Sequence, residues 1–80
     1  MLIKSQDKKT LGDYVELRAR KEFGKNKGII YGITSGTVDI SDATVVGVFK
    51  TEEDAINELE KICKEIKTNP NNIYEVSENI

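Results

Sequence analysis

From Thr51 to Thr68 the chain carries a helix-period pattern, "TEEDAINELEKICKEIKT", and no other segment of its 80 residues shows one. Ala55, Ile56, Leu59, Ile62, Cys63 and Ile66 recur at three- and four-residue spacing, which sets all six on one stripe of a helix. Thr51 is a good N-cap, because its hydroxyl can accept from a free amide in the first turn. Glu52, Glu53 and Asp54 complement the positive end of the helix dipole, and Lys64 and Lys67 the negative end. Pro70 disfavours helical geometry at Asn69, so the predicted helix runs from Glu52 to about Lys67. A lone amphipathic helix must bury its stripe against another element, and the remaining pattern offers only strands.

Those strands follow from a two-residue period. In "YVELRAR", Val15, Leu17 and Ala19 share one face while Tyr14, Glu16, Arg18 and Arg20 share the other. "MLIKS", "IIYGITS" and "TVVGVFK" are further strands, and "NIYEVS" returns as a short last one with Tyr74 and Val76 on one side. "QDKKTLGD" is expected to be a polar turn, and Gly47 to mark a bulge or a close backbone approach. The predicted fold is a single α+β domain over residues 1–80. It has an antiparallel sheet of four to five strands, with the helix packed on one face. One helix covers one face only. Depending on register, either Ile30 or the set Tyr31 and Ile33 is left on the far side, where it lies exposed or meets a partner.

Composition narrows the chemistry. The chain has no histidine, the usual general base near neutral pH and the commonest metal ligand, and its one cysteine cannot form an internal disulfide. Cys63 falls within the apolar stripe, where a buried thiol behaves as a small hydrophobe rather than a nucleophile. "FGKNKG" lacks the Walker spacing and is followed by a strand, so it is a hairpin turn rather than a phosphate loop. "DISDAT" gathers Asp39, Ser41, Asp42 and Thr44, but without the ligand count of a calcium loop it is an Asx turn. The expectation is a protein without catalytic residues, cofactor, metal or small-molecule substrate. No apolar run is long enough to cross a bilayer and no secretory signal is evident, which points to a cytoplasmic protein.

The net charge of −2 conceals a polarity: residues 1–28 sum to +4 and residues 29–80 to −6. Arg18, Arg20, Lys21, Lys25 and Lys27 are the candidate nucleic-acid or anion contacts, with Tyr14 as a stacking partner. The competing reading is a solvated strand face whose charges guard against edge-to-edge pairing, and the acidic total favours it. A protein partner, or a second copy in a homodimer, is therefore expected ahead of nucleic acid.

The segments "LIKSQDKKT" and "GVFKTEEDAINELEKI", with short strands between them, resemble a group of small uncharacterised bacterial proteins associated with prophages and other mobile elements. The resemblance touches about half of the chain. It implies an accessory role and carries over no catalytic or binding residue.

Overall fold

The computed structural model describes residues 2–22, 24–35 and 43–78. Strands β1 (Leu2–Lys4), β2 (Leu11–Asp13), β3 (Glu16–Lys21), β4 (Gly28–Ile33) and β5 (Thr44–Phe49) precede helix α1 (Glu52–Thr68), and β6 (Tyr74–Glu75) closes the order. Among the described residues the six strands form two three-stranded sheets, β2-β1-β6 and β3-β4-β5. The protein is α+β as expected, but the single antiparallel sheet of four to five strands is corrected to two sheets. One of the pairings, β1 with β6, is parallel.

Two local causes account for the difference. The first is the turn after β1. Ser5 Oγ donates to Asp7 Oδ1 at 2.6 Å and accepts from Thr10 N at 3.1 Å, folding Leu11–Asp13 back onto β1. A three-residue strand is too short to display a period. The second cause is Tyr14. Rather than continuing the outer face of β3, it is buried and separates β2 from β3. Its ring lies on Gly12 and Gly32, where an added Cβ would come 2.5 Å from ring atoms. Both positions need glycine to admit the ring.

The β3–β4 register pairs Leu17 with Gly32, Ala19 with Ile30 and Lys21 with Gly28, putting these residues on one face. β5 continues that face at Gly47 and Phe49, and the ladder shifts between Ile30 and Tyr31, opposite the Val45–Gly47 stretch. Gly47 therefore adjoins the predicted irregularity, and it also lets Phe49 and Val76 approach the backbone closely. One continuous core joins Ile30, Val46 and Phe49 of this sheet to Ala55 and Ile62 of α1 and to Ile3 and Val76 beside the other sheet. The helix and the second sheet thus share one face of β3-β4-β5. Among the described residues, no helix or further strand is packed on the other face.

Helix α1 begins as predicted, with Thr51 Oγ1 accepting from Asp54 N at 3.1 Å, and ends where Asn69 N donates to Glu65 O at 2.7 Å. Its buried stripe is rotated from the expected one. Ala55, Glu58 and Ile62 are buried, Leu59 and Ile66 are half-buried, and Ile56 and Cys63 face outward. The expected burial of Cys63 is therefore overturned.

Candidate functional site

The outer sheet face is built from alternate residues of three strands. β3 supplies Glu16, Arg18 and Arg20; β4 supplies Ile33, Tyr31 and Ile29; β5 supplies Val45 and Val48. Cross-strand pairing places Arg18 opposite Tyr31, which in turn lies opposite Val45. Arg20, Ile29 and Val48 form the adjacent row. Ile29 is buried, whereas Tyr31, Ile33 and Val48 remain partly open and Val45 is 47% exposed. The open register is thus the one that turns Ile30 inward and leaves Tyr31 and Ile33 outside.

The five basic candidates divide between strand and turn. Arg18 and Arg20 project from the open face, with the Arg18 guanidinium held by a charge-assisted hydrogen bond and ion pair to the Glu16 carboxylate. Lys21 ends β3, and Lys25 and Lys27 are exposed on the β3–β4 hairpin. Glu22 N donates to Lys27 O at 2.8 Å, and Gly24 takes a φ of 77° that a side chain would strain. The turn is thus a hairpin, not a phosphate cradle. Arg20, Lys21, Glu22 and Tyr31 line a shallow depression between strand face and turn. Tyr31 replaces Tyr14 as the aromatic beside the arginines. Sequence period alone could not identify it, because the pairing partner of Arg18 is set by the hairpin register.

A second polar constellation lies where α1 meets β6. Glu58 is 3% exposed, and its Oε2 accepts from Tyr74 Oη at 2.9 Å and from Ser77 N at 2.8 Å. Lys61 Nζ stands 3.9 Å from the other carboxylate oxygen. Burial, and next the hydrogen bond to Glu58, push the Tyr74 phenol up to about 12. The Glu58 carboxylate is thus occupied in fixing the segment from Tyr74 to Ser77 to the helix, as a buried polar group requires. Nothing in the helical period distinguished Glu58 from the exposed acids around it.

Gln6 completes the join between the sheets. Its backbone N donates to Val46 O at 2.8 Å. Its side chain donates to Val48 O and Ser77 O and accepts from Val48 N, each at 3.0 Å. The free edge of β5 is thereby bonded at Val46 and Val48 by the backbone and side chain of one residue.

Asp39, Ser41 and Asp42 of the "DISDAT" segment lie outside the described residues. Among the described residues, no three Cys, Asp or Glu side chains are gathered so as to hold a metal ion, and no helix is long and apolar enough to cross a membrane. No protein-family model matches the chain, and no characterised protein or solved structure matches it either.

Proposed function

We propose that this is a small non-enzymatic accessory or regulatory protein that works through protein contacts made by the open face of β3-β4-β5. The observation that carries the reading is the one-sided packing of that sheet. Helix and second sheet share its inner face, and Tyr31, Ile33, Val45 and Val48 form an apolar band on the outer one. A tyrosine with arginines beside it is the composition that concentrates binding energy at protein interfaces. The resemblance of the opening strand and the strand-to-helix passage to prophage and mobile-element proteins fits the same accessory role.

Affinity capture with the intact protein and with Tyr31→Glu tests the reading. A partner should be retained in moderate salt by the wild type and lost by the variant. Equal recovery by both proteins would show that the face is not the binding surface.

A second reading, as a nucleic-acid-binding module, is favoured by one observation: Tyr31 stands directly across from Arg18 and beside Arg20, joining a stacking ring to cations. It predicts retention on an oligonucleotide column that falls steeply with salt, with Arg18→Ala and Arg20→Ala together abolishing it. Unchanged retention by that double variant sinks this reading.

A further inference from the structure

We infer that the strap from Tyr74 to Glu78 also docks in trans, so that two copies of the chain exchange it and each strap fills the other's groove between β1 and α1. The inference is independent of the outer face of β3-β4-β5.

The occupant is defined by the contacts that hold the strap, residue by residue. Tyr74 Oη donates to Glu58 Oε2, and Ser77 N donates to the same carboxylate oxygen. Ser77 O accepts from the Gln6 side chain at 3.0 Å. Val76 N donates to Lys4 O at 3.0 Å, and its side chain is 3% exposed, seated where the bare backbone of Gly47 leaves room. Glu75 and Glu78 each stand 3.8 Å from Lys8 Nζ. The receiving groups thus come from β1, the turn after it, β5 and α1, and each meets a feature particular to this segment. A sheet edge recognises an added strand in this way, with main-chain bonds for hold and side-chain sites for selection. Glu58 sharpens the selection, because a buried carboxylate left without donors is costly. A second copy carries the identical segment and can make every one of these contacts.

The tether permits the exchange. Residues 69–73 are all exposed, Ile73 to 53%. Their turn is closed by a hydrogen bond from Asn72 N to Asn69 O at 3.1 Å. Straightening it uncovers no buried side chain, and Pro70 favours extended backbone at Asn69. Fully extended, such a tether spans about 17 Å, enough to hand the strap to a neighbouring chain.

Concentration sets the balance, since the closed monomer and the exchanged pair share the same strap contacts. A short tether presents its own strap at an effective concentration on the order of millimolar. Exchange should become prominent near that concentration and stop at the dimer, because both grooves are then filled.

Disulfide trapping in a Cys63→Ser parent tests this. Lys4 and Glu75 are register partners across β1 and β6, and adjacent strands lie close enough for a disulfide. A Lys4→Cys protein is mixed with a Glu75→Cys protein at millimolar concentration and oxidised. Exchange should make the unlike-chain disulfide several times the sum of the two like-chain products, whereas random collision gives at most their sum. A single chain carrying both cysteines should close internally. This locked form should stay monomeric in sedimentation at concentrations where the parent approaches the dimer mass. Circular dichroism checks each fold, and Tyr31→Glu should change neither result. Products in collision proportions overturn the inference. So does a parent that stays monomeric at millimolar concentration, or a locked form that dimerises equally. Loss of association on Tyr31→Glu would assign the contact to the outer sheet face, overturning the exchange while leaving the docking role in place.

Discussion

The two faces of β3-β4-β5 are made by the same residues of chain, taken alternately, yet they differ in kind. On the inner face Ala19, Ile30, Val46 and Phe49 meet α1 and the second sheet, and Ile30 is fully buried. On the outer face Arg18, Tyr31 and Val45 meet no other element of the described fold. A strand can hold stability on one side and leave the other to contact, because adjacent side chains point in opposite directions. The comparison is sharpest at Ile30 and Tyr31, neighbours in sequence. Ile30→Ala should cost roughly 2–5 kcal/mol, since it removes aliphatic volume from a site with no access to solvent. Tyr31→Ala should cost at most about 1 kcal/mol, the scale of strand propensity on an open face. Chemical denaturation of the two variants measures the contrast. Equal losses would mean that the outer face is also structural.

The join between the two sheets differs again, because it is polar where the inner face is apolar. Gln6 makes three side-chain hydrogen bonds across it, to both backbone groups of Val48 and to Ser77 O. Gln6→Ala leaves those groups without that partner, and the loss should be roughly 2–3 kcal/mol at about 1 kcal/mol per bond. Backbone amide exchange should then quicken at Val48 more than at Ile30. Uniform quickening would show that the sheets unfold as a unit and that the staple has no local role.

Tyr74 gives the same join a pH dependence. Its phenol is held up to about 12, so the native state keeps the proton through a range where the unfolded chain, at the ordinary 10.0, has lost it. The corresponding stabilisation is complete below pH 10 and disappears as pH climbs through 12. Tyr74→Phe should lower stability by about 1 kcal/mol at neutral pH through the lost bond to Glu58. The variant should also fall less steeply with pH over that alkaline window. Parallel pH profiles for the two proteins would remove Tyr74 as the cause.

How much of this was legible beforehand depends on the range of the interactions involved. The α+β class, the helix with its Thr51 cap, and the hairpin between β3 and β4 were legible, because each is fixed by residues close together in sequence. The division into two sheets was not. It depends on Tyr14 finding space over Gly12 and Gly32 and on Gln6 reaching Val48, contacts that no local pattern encodes. The basic strand of the candidate site was visible in "ELRARK", but its aromatic neighbour was misassigned to Tyr14. Tyr14 follows the alternation of β3 in sequence and departs from it in space, whereas Tyr31 reaches Arg18 through strand pairing.

The helix carries the smallest and cleanest version of the contrast between faces. Cys63 and Ile62 are adjacent, and the period alone admits both to one stripe, since a 100° step leaves neighbours within the same half of a helix. The tie was broken by Glu58. Held by Tyr74 and Ser77, it turns the buried centre toward the Ala55–Glu58–Ile62 side, which carries Cys63 out into solvent. A thiol reagent should therefore modify Cys63 in the native protein at a rate close to that in denaturant. Cys63→Ser should change stability by less than about 0.5 kcal/mol, as for other surface positions. Ile62→Ala, one residue away, should cost roughly 2–5 kcal/mol because its side chain is almost wholly enclosed. Slow labelling that speeds only on unfolding would put Cys63 back in the core.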